Sequence, residues 1–363
     1  MLPYFSTQFG NPSNTLHSFG TQAANAVEGA RGQVAETIRA SAREIIFTSG
    51  ATESNNLAIL GVCRFNKERY RHVITSVTEH KAILEACHQL EREGLEVTYL
   101  PVDRYGAISL EQLDQAITPV TLLVSIMAAN NEIGTLAPMR EIGELCHRRG
   151  VLFHSDAVQA IGRIPVDVDE WKVDLLSISG HKIYGPKGIG ALYLRGGVTK
   201  LGMTPLVFGG GQEDGLRSGT LPVPQIVGLG IACKTVQETM AEESARLRSL
   251  RHRLKARLVS ALPDTVVHGH AETSLPGLLN LGFLRTEGDV FIQLLTGVAA
   301  SQGSSCSSGS FEPSHVLRAI GVPDELARAS LRLGIGRFTT SEEVDRAAEL
   351  IIEAVGRTRR ATR

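Results

Sequence analysis

Short apolar runs alternate with helical patterns between about residues 20 and 230 of the chain. The apolar runs, which we interpret as strands, are REIIFTS (43–49), HVITSV (72–77), EVTYLPV (96–102), LLVSIMA (122–128), VLFHSD (151–156), DLLSIS (174–179) and IGALYLR (189–195). Helical patterns such as NLAILGVCRFNKER and MREIGELCHRRG lie between several of them. Apolar strands that alternate with helices are typical of a parallel sheet covered on both faces. The pattern predicts an α/β fold with a mainly parallel sheet of these seven strands.

The last third of the chain has a different pattern. A turn-rich stretch at 209–225 precedes a long charged amphipathic helix at about 234–261, which we interpret as a connector between domains. Residues 264–363 then read as the strands and helices of an α+β arrangement. We therefore predict a large domain over 1–238 and a smaller α+β domain over 239–363.

The composition excludes several classes of protein. With 42% hydrophobic and 21% charged residues, the 363-residue chain has the make-up of a soluble globular protein. Its net charge of -1 argues against nucleic acid or an anionic membrane as a partner, and no apolar run reaches the about 18 residues of a membrane helix. The first residues lack the pattern of a signal peptide. Five cysteines without a C-x-x-C pair indicate neither disulfides nor a metal site, so we expect a cytoplasmic protein.

Polar residues cluster where the predicted strands end, which is where open parallel sheets bind ligands. After the first strand, GATESNN starts a helix whose N–H groups suit an anion, with the Ala51 amide and the Thr52 hydroxyl as ligands. An ordinary helix N-cap is the alternative. His80 follows the next strand, where a single histidine is more often structural.

Three more strand ends carry polar side chains, which are Asn131, Asp156 with Gln159, and Ser179 with His181 and Lys182. His154, Ser155 and Asp156 are neighbours on one strand, so they do not form a catalytic triad. A buried aspartate is costly without a cation or good hydrogen bonds, and a protonated pyridine nitrogen is a suitable cation.

Lys182, in SISGHKIYGPKGIGALYLR, has three candidate roles. A P-loop would need lysine where Pro186 stands, and a dinucleotide motif would need glycine where Tyr193 stands, so a nucleotide site is excluded. An ordinary lysine in a turn and a lysine that bonds an aldehyde remain. A phosphate cradle, an acid, a ring partner at His80 and a strand-end lysine together describe a site for pyridoxal phosphate (PLP).

Long motifs in a fixed order extend this picture over nearly the whole chain. They are FGNPSNTLHSFG, FTSGATESNNLAI, TEHKAIL, MAANNEIGT, FHSDAVQAIG, SGHKIYGPKGIGALY, LRSGTLPV, GSSCSSGS, EPSHVLRAIG and LRLGIGRFTT. In these motifs the chain resembles the cysteine desulfurases of the NifS/IscS type, which are PLP enzymes of the class V aminotransferase superfamily. The resemblance implies the PLP-dependent transferase fold type I and the removal of sulfur from L-cysteine to give L-alanine.

The resemblance also implies roles around the cofactor ring. Lys182 is the residue that bonds the aldehyde of PLP, and as a free amine it takes the α-proton of the substrate. Asp156 pairs with the pyridine nitrogen, and Gln159 bonds the ring hydroxyl. His80 stacks on the ring and shuttles protons, while Asn131 lies beside cofactor and substrate.

At the phosphate, the resemblance implies a second set of ligands. Thr52, Ser179 and His181 bind the phosphate together with the amide of Ala51. Thr220 reaches the phosphate of the other subunit, so the resemblance implies a homodimer.

Cys306 distinguishes a desulfurase from other members of the superfamily. It lies in SQGSSCSSGS, within a predicted mobile loop at about 301–312, and it matches the family's nucleophile, which carries the sulfur as a persulfide. This long loop is typical of the group that serves iron–sulfur cluster assembly, so scaffold or other sulfur-acceptor proteins are the expected partners, and Cys306 is expected to ligate a partner's cluster transiently. The substrate carboxylate is expected on Arg332, with Arg337 as the alternative.

Two features leave other functions open. Another class V aminotransferase or a selenocysteine lyase would use the same cofactor site. The family's usual first segment, with a Y-L-D-x-x-A-T-T-P-like motif, does not precede MLPYF in this sequence, so a catalytically weakened scaffold is a further alternative.

Overall fold

The computed structural model describes residues 1–302 and 312–361. The chain divides into two compact units. The first consists of Met1–Leu100, Leu110–Ala128 and Ala137–Met240, and the second of Pro101–Ser109, Ala129–Leu136 and Ala241–Arg363. The second unit thus includes two short segments from the first half of the chain, which apolar patterning gives no means of assigning.

The first unit is built on a seven-stranded sheet in the order β1-β7-β6-β5-β4-β2-β3. Its strands are β1 (Ile45–Thr48), β2 (His72–Ser76), β3 (Glu96–Leu100), β4 (Thr121–Ser125), β5 (Leu152–Asp156), β6 (Leu175–Ser179) and β7 (Gly190–Leu194). Strands β2 to β6 pair in parallel, whereas β7 runs antiparallel to both of its neighbours, β1 and β6. All seven predicted strands and the mainly parallel sheet are therefore confirmed. Every residue of β1, β2, β4, β6 and β7 is buried, which explains their nearly continuous apolar pattern.

The helices of the first unit follow the caps and breaks in the sequence. They are α1 (Pro3–Ser6), α2 (Ser18–Thr37), α3 (Ala51–Asn56), α4 (Val62–Asn66), α5 (Lys81–Arg92), α6 (Leu110–Ala116), α7 (Met139–Arg149) and α8 (Val198–Leu201). A π-helical turn at Leu57–Gly61 joins α3 to α4, and all five of its residues are buried. Helix α7 ends at Gly150, whose φ of 67° is a conformation that glycine adopts without strain.

The second unit carries a three-stranded antiparallel sheet in the order β10-β9-β8. Its strands are β8 (Thr265–His268), β9 (Leu278–Phe283) and β10 (Ser330–Gly334). Its helices are α10 (Gly288–Leu294), α11 (His315–Ala319), α12 (Asp324–Arg328) and α13 (Ser341–Ala361), and α9 (Val223–Ala261) contributes to both units. Helix α9 begins earlier than predicted. Pro224 does not prevent this start, because it falls in the first turn of the helix, where the N–H that proline lacks would have no partner within the helix.

A buried histidine in the sheet makes the first unit sensitive to acid. His154 on β5 is fully buried, with Nδ1 2.8 Å from Ser125 Oγ and Nε2 3.0 Å from Ser177 Oγ. Burial lowers the pKa of its imidazole from 6.5 to about 3, so the folded chain keeps it neutral while the unfolded chain takes up a proton below pH 6.5.

The free energy of unfolding should therefore fall as pH drops from 6.5 toward 3, because the unfolded state binds more protons in this window. The contribution of His154 is about 2 kcal/mol at about pH 5. Urea unfolding at about pH 8 and about pH 5 checks this in the parent and in His154→Gln, which cannot take up that proton. The variant should be less stable at the higher pH but lose less stability on acidification. An equal loss in both proteins would contradict the assignment.

Candidate active site

The ends of β1 and β6 meet across the start of β7. Thr48 at the end of β1 lies opposite Gly190, and Gly190 lies opposite Ser179 at the end of β6. Because β7 is antiparallel to both, its first residue lies at the edge where its neighbours end. A Cβ at Gly190 would stand 2.7 Å from the Cα of Gly50, so only glycine allows this close approach. Two chain turns with polar groups are thereby brought together.

A helix N-terminus opens at this junction. Gly50, with a φ of 146°, turns the chain from β1 into α3 and provides no side-chain cap, so the Ala51 and Thr52 N–H groups head a helix that continues through the π turn into α4. Thr52 is exposed and Ala51 is half-buried. Such an N-terminus favours an anion through its N–H groups and its dipole.

Ser179 and His181 form a pair beside this junction. The Ser179 hydroxyl is buried and lies 2.8 Å from His181 Nδ1. The pKa of His181 is lowered, first by burial and then by the positive charges of Lys182 and Lys187. A neutral imidazole and a hydroxyl provide hydrogen bonds to a phosphate without adding a fixed charge.

Asp156, the last residue of β5, is the buried acid of the site, with 7% of its surface exposed. Its Oδ2 accepts a hydrogen bond from Asn55 Nδ2 at 2.8 Å, and its Oδ1 accepts one from the Val158 N–H at 3.0 Å. Burial raises the pKa of the carboxyl, while those two hydrogen bonds and the charges of His80 and Lys182 oppose the rise. The carboxylate therefore lies where a cationic ring nitrogen would stabilise it further.

Lys182 and His80 follow two other strands, and both act electrostatically on this acid. Lys182 lies in a 3₁₀ turn at Gly180–Ile183 directly after β6, and the turn ends at Tyr184 in the left-handed conformation, with a φ of 64°. His80 is the N-cap of α5, and its Nδ1 accepts a hydrogen bond from the Ala82 N–H at 3.1 Å. When the ring is neutral its proton is consequently on Nε2, the nitrogen that remains able to donate.

Two residues of this region escaped sequence reasoning. Glu79 is completely buried, and its Oε1 accepts a hydrogen bond from the Met127 N–H at 2.7 Å. Burial raises the pKa of its carboxyl well above the usual value, and the negative charge of Asp156 adds to the rise. Asn55, which binds Asp156, is also buried. Two features of the sequence could have identified them. Glu79 directly precedes His80, and Asn55 lies one helical turn after the helix N-terminus at Ala51.

Gln159 and Thr220, both in the first unit, differ in their exposure to solvent. Gln159 is half-buried three residues after Asp156, and its carbonyl accepts a hydrogen bond from Arg163 Nη1 at 3.2 Å. Thr220 is exposed at the end of the turn-rich stretch, next to Gly219, whose N–H donates to Gln212 Oε1 at 2.8 Å. The expected contacts of both residues with a cofactor stay predictions.

Asn131 and Arg332 belong to the second unit and lie close to each other there. Arg332, on β10, donates from Nη1 to the Asn131 carbonyl at 3.2 Å. Arg337, the alternative carboxylate ligand, donates from Nε to Glu243 Oε2 at 2.7 Å, in an ion pair that is largely shielded from solvent. The structure therefore assigns Arg337 to a structural ion pair, which leaves Arg332 as the better candidate.

Cys306 lies outside the residues that the structure describes, as does most of the predicted loop. The other cysteines, Cys63, Cys87, Cys146 and Cys233, are all buried. Burial raises the pKa of the Cys87, Cys146 and Cys233 thiols to about 12. The pKa of Cys63 is raised further. These four thiols are neither accessible nor ionised at neutral pH, so none of them is a candidate nucleophile.

The groups of the first unit fit pyridoxal phosphate. Asp156 accepts its hydrogen bonds from neutral N–H groups and lies near cations, as a partner of a pyridinium nitrogen should. The helix N-terminus with Ser179 and His181 provides donors of the kind that bind phosphate. Lys182 and His80 add an amine and an imidazole, and both act electrostatically on Asp156.

Comparisons with known proteins agree with this set of groups. Residues 1–347 match the family model described as aminotransferase class-V. The chain is 52% identical to the cysteine desulfurase IscS of Rickettsia typhi over 360 residues, which is 99% of this chain and 88% of the relative. It is also 52% identical to the human cysteine desulfurase, covering 99% of this chain and 78% of that protein. A solved structure titled NifS-like protein aligns with a TM-score of 0.90 and 37% identity, covering 98% of this chain and 94% of that one.

Proposed function

The chain belongs to the cysteine desulfurases, PLP-dependent enzymes of the class-V aminotransferase family, and from this premise we propose that it transfers the sulfur of L-cysteine to Cys306. The structural observation that best supports the proposal is the buried carboxylate of Asp156 at the carboxyl edge of the sheet. Burial raises the pKa of this carboxylate, and the charges of His80 and Lys182 act to lower it. Relatives named as cysteine desulfurases give no support to an aminotransferase or selenocysteine lyase as the alternative.

The residues that would hold PLP are those of the first unit. Asp156 would pair with the ring nitrogen, Gln159 with the ring hydroxyl, and His80 would stack on the ring. The phosphate would bind Ser179, His181 and the N-terminus at Ala51 and Thr52. When bound, PLP acts as an electron sink that makes the α-carbon of an amino acid acidic.

Lys182 has two tasks in this proposal. Its amine would hold the cofactor covalently, and as a free amine it would accept the α-proton of the substrate as a general base. The nearby carboxylate of Asp156 and the imidazole of His80 would hold the protons of the site, and Nε2 of His80 carries the ring proton when the imidazole is neutral.

Arg332 and Cys306 act on the substrate itself. Arg332 binds the carboxylate of cysteine, and Asn131 lies beside it. The Cys306 thiolate attacks the substrate sulfur, so a sulfur–sulfur bond forms while the carbon–sulfur bond breaks. The electron pair of the broken bond and a proton go to the β-carbon. L-Alanine leaves, and the persulfide remains on Cys306 for an acceptor protein.

Replacing Arg332 by glutamine should raise the KM for L-cysteine by about 10- to 100-fold, because a charged hydrogen bond to the substrate carboxylate is lost. Arg337→Gln is the matched control, since its side chain pairs with Glu243. We expect that variant to be less stable but to keep its KM. Steady-state measurement of alanine formation in the two variants decides between the arginines, and the reverse result would assign the carboxylate to Arg337.

Assembly, partners and location complete the proposal. We infer a homodimer in which Thr220 reaches the phosphate of the second copy, which its exposure allows. Sulfur acceptors are the expected partners, with an iron–sulfur scaffold first because of the long Cys306 loop, and Cys306 would ligate the scaffold's cluster transiently. The cytoplasm is the proposed location. Among the described residues, no helix combines the length and the apolar character needed to span a bilayer.

A further inference from the structure

Glu132 connects two segments of the second unit that are far apart in the sequence. Its carboxylate Oε2 accepts a hydrogen bond from the Ser314 hydroxyl at 2.5 Å, and its carbonyl accepts one from Asn280 Nδ2 at 3.0 Å. Glu132 is 1% exposed and Ser314 is half-buried, so the bond between them is partly shielded from water. A hydrogen bond in such a place is strong and directional.

Ser314 also begins a helix. Its hydroxyl oxygen accepts hydrogen bonds from the N–H groups of Val316 and Leu317, so it is the N-cap of α11 while its own proton goes to Glu132. Ser314 follows Cys306 by eight residues. The bond to Glu132 therefore anchors Ser314, the N-cap of the first described helix after Cys306.

The turn that contains Glu132 also carries Asn131. Asn130 Oδ1 accepts hydrogen bonds from the N–H groups of Glu132 and Ile133, which closes the turn. Ile133 packs with Val316 and Leu317 in one buried apolar cluster. The turn and α11 thus form one packed body, held by an apolar contact and by the Glu132 bond.

The chain before Cys306 is tied to the same region. Ser301 exchanges two backbone hydrogen bonds with Arg332, at 2.7 and 3.5 Å, and Gln302 Nε2 donates to the Arg328 carbonyl at 2.6 Å. Arg332 in turn donates to the Asn131 carbonyl. The described residues on both sides of Cys306 are therefore joined to the strand and turn that carry Arg332 and Asn131.

We propose that Glu132 is a positioning residue for sulfur transfer, because it fixes Ser314, which follows Cys306 by eight residues, to the turn that carries Asn131. The inference rests on the proposed function, in which Arg332 binds the substrate and Cys306 attacks it. Attack requires sulfur and nucleophile to meet in one geometry, and a displacement of about 1 Å can cost about 10²-fold in rate. Through Ser314, Glu132 attaches the chain that follows Cys306 to the turn that carries Asn131.

The decisive variant is Ser314→Gly, measured in the PLP-loaded enzyme. Glycine is tolerated at an N-cap, so the helix is kept while the hydroxyl bond to Glu132 is lost. We expect kcat for alanine formation to fall by about 10- to 100-fold while KM for L-cysteine changes by less than about twofold. Ser314→Thr and Glu132→Gln, which both keep a donor and an acceptor, should stay close to the parent.

A matched control separates positioning from helix capping. Thr340 caps α13 in the same unit, where its Oγ1 accepts from the Glu343 N–H and its N–H donates to Glu343. Thr340→Ala should lower Tm through the loss of its cap and leave kcat unchanged. An unchanged kcat in Ser314→Gly, or a rise in KM alone, would overturn the inference.

The same assay separates this inference from the proposed function. If Cys306→Ser is inactive while Ser314→Gly matches the parent, only the role of Glu132 fails. If Cys306→Ser still forms alanine and a persulfide, the nucleophile has been assigned wrongly and the proposed function itself fails.

Discussion

Replacing Lys182 by alanine should reduce turnover of L-cysteine by about 10²- to 10⁴-fold, the range that a positioned proton-transfer group contributes. The amine lies in the turn after β6 and close enough to Asp156 to oppose the rise of its pKa. Without it, PLP would in the proposed mechanism have no covalent attachment to the chain, and the α-proton would have no base. The cofactor should still bind through the phosphate and ring contacts, so the loss is in chemistry more than in binding.

Two measurements check this prediction. Alanine formation gives the rate, and borohydride treatment followed by denaturation tests whether the cofactor stays attached to the chain. Lys187→Ala is the matched control, because this lysine is exposed in the same glycine-rich stretch. It should keep both the rate and the attachment. A Lys182→Ala variant that retained cofactor after borohydride treatment would place the covalent bond on another lysine.

Replacing Cys306 by serine should abolish persulfide formation while cofactor binding is kept. Serine has nearly the same size, but its hydroxyl is not ionised at neutral pH and is a poor nucleophile toward sulfur. The other cysteines offer no substitute because all four are buried, and the pKa of each is raised far above neutrality. The loss should therefore be complete and not partial.

Cys146→Ala provides the control for this variant. It removes a buried thiol on α7 and should cost about 1 kcal/mol of stability, with turnover unchanged. Absorbance of the bound cofactor before and after addition of L-cysteine shows whether the earlier steps survive in Cys306→Ser. Persulfide formation at the parent's rate in that variant would refute the assignment.

Much of the first unit could be predicted because its strands and the polar residues that follow them are recognised from local sequence patterns. The seven strands are buried runs bounded by turn residues, and polar residues at their carboxyl ends share one edge of a parallel sheet. That rule predicted one cluster for Asp156, Lys182 and His80, and the charges of Lys182 and His80 do act on Asp156. Whether they perform the chemistry expected of them is what the variants test.

Contacts between distant segments could not be predicted. No spacing rule links Glu132 to Ser314, or Glu79 to Met127, because each pair is formed by tertiary packing alone. The choice between Arg332 and Arg337 likewise depended on Glu243, a residue on a helix about 90 positions earlier in the chain. A buried glutamate looks in sequence like any exposed one, so its burial becomes evident only in the fold.

The central claim is that sulfur leaves L-cysteine for one thiol of this chain while alanine is released. The most direct measurement is a single turnover of PLP-loaded protein with ³⁵S-labelled L-cysteine, followed by rapid alkylation, proteolysis and mass spectrometry of the peptides. The account predicts alanine and label in equal amounts, with the label on the peptide that contains Cys306. Label released as free sulfide without passing through that peptide, or label without alanine, would contradict it.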